Sequence, residues 1–133
     1  MNVLFVDLLN WLEYAQDDAG RLWLADYPGS PKAPAERGEP CELRGSPERL
    51  AALAGLLRVL ARQAPQLHRH APIAQPHLGA IARLARAMGT GQPPDAALTE
   101  ARRCFAWTPL PGALGEAVGA AWAHLDAAFD AIR

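Results

Sequence analysis

Apolar side chains recur every three or four positions through most of the chain, a period that predicts helices. The clearest case opens at Ser46-Pro47-Glu48 and runs to Ala64, with Leu50, Leu53, Leu57 and Leu60 on one face. Ser46 is expected to cap this helix, and Pro47 fills the first helical position, where no N–H is needed. Glu48 sets negative charge at the positive end of the helix dipole. Pro65 is expected to end the run, because its ring clashes with the preceding turn. Leu56 and Val59 lie off the main stripe, so the apolar arc is wide, as in a helix packed on two sides.

Three more stripes follow. From Pro76 the inner positions are Leu78, Ile81, Leu84, Ala85 and Met88, with Gly79, Arg83 and Arg86 outward and Gly89-Thr90-Gly91 as the stop. From Asp95 to Phe105 they are Ala97, Leu98, Ala101 and Phe105, with Glu100, Arg102 and Arg103 mostly outside and Trp107 just past the end. From about 113 to 132 they are Leu114, Val118, Ala121, Trp122, Leu125, Phe129 and Ile132. The opposite face of that last segment is alanine, glycine and acid, and Gly115 and Gly119 each lower its helix propensity by about 1 kcal/mol relative to alanine. Pro65, Pro72 and Pro76 make 65–76 read as a broken connection, and Thr108-Pro109-Leu110-Pro111-Gly112 reads as a rigid bend.

The first third is less regular. Leu4, Phe5, Leu8, Leu9, Trp11, Leu12 and Ala15 share one helical arc, so 2–16 is expected as an amphipathic helix, with a strand at 2–7 through Val3-Leu4-Phe5-Val6 as the alternative. Asp17-Asp18-Ala19-Gly20 closes it. Arg21 to Tyr27 alternates as a short strand, with Leu22 and Leu24 on one side and Trp23, Ala25 and Tyr27 on the other. The polar, proline-rich stretch 28–40 has no period and is expected as a mobile or functional loop. Cys41-Glu42-Leu43-Arg44 then returns as a second strand. Two strands alone are marginal, so this hairpin must pack on the helices. The expected fold is mainly α: one domain spanning 1–133, a compact bundle of about five helices with a small β-hairpin near 21–44.

Composition narrows the class. The chain has 133 residues, half of them hydrophobic, enough for one core without staples. No apolar run approaches the roughly 20 residues that cross a bilayer, so no membrane partner is expected. No basic segment precedes Val3, so no secretory signal is expected. Cys41 and Cys104 are far apart in sequence and are read as reduced thiols of a cytoplasmic protein. Lys32 is the only lysine, and the excess of arginine and alanine is typical of a GC-rich bacterial genome. Charge is near zero in total but uneven. Residues 1–43 hold eight acids against three bases, a net −5. Residues 44–103 hold nine arginines against three acids, a net +6, and 104–133 come to −2. Segments of opposite sign face each other, are simply solvated, or present a charged face to a partner.

Chemistry is harder to find. His68, His70, His77, His124, Cys41 and Cys104 are metal-ligating types, yet no Cys-x-x-Cys, paired helical histidines or His-Glu-x-x-His spacing joins them. No metal and no cofactor is expected, and His77 is read as a structural histidine. Ser46 is occupied as a cap, Ser30 lacks an elbow motif, and Cys104 sits beside Phe105 as an inert thiol. Gly89-Thr90-Gly91 lacks the lysine of a phosphate loop. No catalytic residue, and so no enzyme, is expected. A helix-turn-helix across 81–105 would offer Asp95 and Glu100 to a DNA groove, the wrong sign.

The expected function is therefore a non-catalytic protein-binding module of the accessory, immunity or inhibitor kind. Trp23 and Tyr27 are its candidate anchors, and Arg58, Arg62, Arg83, Arg86, Arg102 and Arg103 its candidate charged contacts. The alternative is non-specific nucleic-acid binding through those arginines. The small-residue face of 113–132 is a further candidate for self-association.

Overall fold

In this computed structural model, residues 2–8, 12–26 and 29–131 are described. Four strands come first: β1 (Asn2–Leu8), β2 (Leu12–Gln16), β3 (Leu22–Asp26) and β4 (Cys41–Glu42). Five helices follow: α1 (Pro47–Arg62), α2 (Ala64–Arg69), α3 (Ala71–Thr90), α4 (Asp95–Trp107) and α5 (Gly112–Asp130). The protein is mainly helical, as the periodicity predicts.

Where a helix is expected over 2–16, residues 2–8 and 12–16 are instead two strands, so the alternative of a strand at 2–7 is the one realised; Leu9 and Trp11 of the expected stripe lie outside the described residues. The strands form an antiparallel meander in the order β1-β2-β3-β4. β1 pairs with β2 through an irregular register, Asn2 opposite Gln16 and Leu8 opposite Leu12, with bulges between. β2 and β3 pair regularly from Leu12 opposite Asp26 to Gln16 opposite Leu22. The apolar spacing of 2–16 fits a helix, but β3 offers this segment a ladder that local spacing cannot register. Asp17-Asp18-Ala19-Gly20 is accordingly a hairpin turn. The expected hairpin of 21–44 is real, with Trp23 opposite Glu42 and Leu24 opposite Cys41, and forms the far half of the sheet.

Leu22 and Leu24 are buried, as is Tyr14 opposite Leu24, and burial pushes the Tyr14 phenol well above its ordinary pKa. α1 and α3 pack against this sheet, α5 packs on α1, and α4 packs on α3. One continuous core runs from Tyr14 to Phe129. α1 is its centre. Ser46 Oγ accepts from the Arg49 N–H at 3.2 Å, Pro47 opens the helix, and Ala52, Leu53, Ala54, Leu56, Leu57 and Leu60 are buried. That wide arc meets β1 on one side and α5 on the other.

The proline-marked segment 65–76, expected as a broken connection, is helical on either side of a single break at His70. Pro65 and Pro72 sit in the first turns of α2 and α3, where the missing N–H has no intrahelical acceptor to lose. Pro76 lies within α3 but on its exposed side, so the one backbone bond it forfeits is lost where the freed carbonyl is open to solvent. α3 runs on to Gly91, whose positive φ of 73° ends it. The residues that the stripes place inward in α3 and α5 are buried, Ala121 only partly, and α3 also buries Ala74, His77, Ala80, Ala82 and Ala87; Ile132 lies outside the described residues. No helix among the described residues is long and apolar enough to cross a membrane.

Loop 29–40 is pinned by β3. Asp26 accepts from the Gly38 N–H at 2.9 Å and from Lys32 Nζ at 3.3 Å, and Ser30, buried, accepts from the Lys32 N–H. Residues Pro34–Glu36 form a single 3-10 turn between these ties.

Candidate interaction surface

The surface worth testing lies where α4 runs out. Leu98 and Ala101 bury the inner face of α4 against α3, and Phe105 continues that face one turn later. The ring of Phe105 stacks on Trp122 of α5, centroids 4.5 Å apart and planes 3° from parallel. Its other neighbour is His77 of α3, edge to face at 4.4 Å. These three rings bridge α3, α4 and α5. His77 Nε2 lies 2.5 Å from the Thr108 carbonyl oxygen. A carbonyl only accepts, so Nε2 carries the proton and Nδ1 is the bare nitrogen. Nδ1 is buried and makes no hydrogen bond. The imidazole thus fastens the bend 108–111 to α3, a structural role of the kind the sequence suggests for it.

Burial lowers the pKa of His77 below its ordinary 6.5, against the opposing pull of the Thr108 carbonyl. A proton on Nδ1 would place a charge and an unmet donor in the core. The unfolded chain therefore binds this proton more readily than the folded one. The His77 contribution to stability is whole above pH 6.5 and is lost as pH falls through its lowered folded value. Urea midpoints are expected to drop between about pH 7.5 and pH 5.5, and His77→Gln, which keeps an N–H for Thr108, is expected to flatten part of that drop. An identical pH slope in the variant would contradict this.

Just beyond the ring stack, Trp107 turns outward. Its side chain is 82% exposed, the exposed large hydrophobic among the described residues. It borders an open hollow of about 400 Å³ lined by Glu100, Arg103, Cys104 and Thr108. Glu100 is held by Arg103 at 2.5 Å and Arg83 at 3.7 Å, so the rim carries both signs. The sequence offers one hint of Trp107: it stands two places past Phe105, off the stripe, directly before Thr108-Pro109.

The arginines do not gather into one site. Arg102 reaches α5, with Nε 2.5 Å from Asp126 and Nη2 2.6 Å from Asp130. Arg83 and Arg103 share Glu100. Arg58 donates to the Gln16 side chain at 3.1 Å. Arg62 and Arg86 are exposed and make no ion pair among the described residues. Trp23 is half-buried on the sheet. Its indole N–H donates to Asp17 at 3.2 Å, and Arg21 lies over its ring at 5.8 Å. Partial burial pushes the Asp17 carboxyl up, but the Trp23 and Arg21 donors outweigh it and hold that carboxyl below its ordinary range. Tyr27 lies outside the described residues.

His68 and His124 are exposed and His70 half-exposed, and no three metal-ligating side chains converge among the described residues. Both cysteines are free and half-buried. The small-residue face of α5 is open at Ala120, Ala123 and Ala127. The chain matches no protein-family model, no curated protein and no solved structure.

Proposed function

We propose that this protein acts by binding another protein and carries no chemistry of its own, with Trp107 as the anchor. The observation that supports the reading is the 82% exposure of a tryptophan whose neighbour two residues back, Phe105, is locked into the core. A large apolar side chain held out beside an open hollow is costly to leave wet, and tryptophans of this kind dominate the energetics of protein interfaces. The mixed rim of Glu100, Arg83 and Arg103 suits a partner surface that also carries both signs. Weighing against the nucleic-acid alternative, Arg83, Arg102 and Arg103 each face a carboxylate and offer less free charge to phosphates. Two free thiols fit a reducing, cytoplasmic setting.

The test uses immobilised full-length chain against lysate of the source cell, followed by affinity measurement with the purified partner. Trp107→Ala is expected to weaken binding at least about 30-fold with the unfolding midpoint unchanged, because the side chain packs against little of its own fold. Equal affinity in wild type and Trp107→Ala would remove the anchor. Recovery of nucleic acid alone, with a steep loss in salt, would replace the reading, and turnover of a substrate would end it.

A further inference from the structure

A second feature lies at the other end of α4 and is independent of Trp107. Arg44 follows β4 and Arg49 stands in the first turn of α1. The Arg44 backbone N–H donates to the Met88 carbonyl at 3.0 Å, tying this connection to the end of α3. Arg49 Nη2 donates to the Phe129 carbonyl at 3.1 Å, and its guanidinium carbon lies 4.5 Å over the Phe129 ring. Arg49 Nε is buried and has no hydrogen-bond partner among the described residues. Arg44 is exposed and its guanidinium lies against Gly91. Both arginines border one hollow of about 340 Å³, whose apolar lining is Met88, Pro94 and Phe129.

Two arginines without a carboxylate partner among the described residues border this one hollow. Arg21, Arg83, Arg102 and Arg103 each have a carboxylate oxygen between 2.5 and 3.7 Å away. No carboxylate lines the hollow, and neither Arg44 nor Arg49 makes an ion pair among the described residues. The carbonyls that close the adjoining helices are already occupied. Met88 O takes the Arg44 N–H, Ala87 O takes the N–H groups of Gly91 and Gln92, and Phe129 O takes Arg49. The Arg44 guanidinium and the remaining Nη donors of Arg49, whose Nε is buried and whose Nη2 serves Phe129, therefore stand beside a partly apolar wall with donors to spare. A guanidinium fork matches the flat, two-oxygen edge of a carboxylate or phosphate.

We infer that the hollow between the start of α1 and the ends of α3 and α5 binds an organic oxyanion. Its charged head lies between Arg44 and Arg49, and its apolar body rests on half-buried Pro94 and on the small edges that Met88 and Phe129 leave open. A carboxylate and a phosphate monoester share this chemistry, and the affinities separate them.

The experiment titrates full-length protein with 3-phenylpropionate, phenyl phosphate, inorganic phosphate and the uncharged 3-phenylpropanol at constant ionic strength. The readout is the side-chain N–H resonance of Arg49 together with backbone amide shifts. Saturable shifts centred on Arg44, Gly45, Arg49 and Gly91 are expected with one or both aryl anions, the tighter naming the head group. The alcohol and inorganic phosphate are each expected to bind about tenfold more weakly, from loss of the charge-assisted bonds or of the apolar contact. Arg44→Gln, at an exposed position, is expected to cost about tenfold while the spectrum stays folded. Arg49→Lys provides a second variant that retains the charge and loses the fork, with a similar cost expected. The proposal is overturned by the absence of saturable shifts with both aryl anions, by equal affinity for the alcohol or for inorganic phosphate, or by unaltered affinity in Arg44→Gln.

Discussion

Leu57→Ala is expected to lower the free energy of unfolding by about 3–4 kcal/mol, within the 2–5 kcal/mol usual for a fully buried leucine. The residue is 0% exposed and sits midway along α1. What places it high in that range is the geometry around it. A helix lying on a single layer can settle into the space that a lost side chain leaves. α1 is held from the sheet on one side and by α5 on the other, so collapse toward one contact opens the opposite one. A domain of this size has only about 5–15 kcal/mol in total, so the variant would be conspicuously fragile. Guanidinium unfolding measures it: the midpoint falls while the slope with denaturant stays near wild type. Arg62→Ala on the exposed side of the same helix is the control, expected to stay within about 0.5 kcal/mol. A loss below about 1 kcal/mol at Leu57 would mean that α1 is not enclosed as described.

The second large effect separates two glycines that look alike in sequence. Gly115→Ala is expected to destabilise by about 2 kcal/mol, and Gly119→Ala to stabilise by up to about 1 kcal/mol. Both lie in α5, and helix propensity favours alanine at both. A β-carbon at Gly115, however, would stand on the backbone carbonyl of Leu110, where the bend 108–111 folds over the first turn of the helix. Backbone cannot swing aside as a side chain can, so the bend or α5 must move, and the His77–Thr108 tie with it. At Gly119 a β-carbon meets nothing within 4 Å. Thermal midpoints of the two variants moving in opposite directions would establish the difference, and midpoints rising together would show that the bend yields easily.

These glycines mark the limit of what local pattern conveys. The stripes of α1, α3 and α5 are legible because a helix makes its own backbone bonds, so only the facing of apolar side chains remains for spacing to report. The cap at Ser46-Pro47 and the stop at Gly91 are legible for the same local reason. Residues 2–16 are not. Their apolar spacing matches a helix, yet a strand's bonds are made with another segment, and the segment that completes β2 is β3. The prolines of 65–76 mislead in the opposite direction. A proline breaks a helix by its place in the turn, and two of the three stand in first turns, which depend on where neighbouring helices end.

The candidate sites divide along the same line. Trp23, singled out for its place on a strand, is partly covered by Arg21 and bonded to Asp17, whereas Trp107, passed over as the residue after a helix, stands in solvent. Of the nine central arginines, counting shows an excess of charge, but not which are neutralised. Arg102 meets Asp126 and Asp130 only because α4 lies beside α5, and Arg44 and Arg49 share a hollow only because the ends of α3 and α5 meet there. The sequence by itself determined the helical class, the central helix and most of its buried positions, because these follow from contacts within a few turns. Tertiary structure decided the sheet at the start of the chain, the exposure of Trp107 and the convergence of Arg44 and Arg49, because each depends on partners that are remote along the chain and near only after folding.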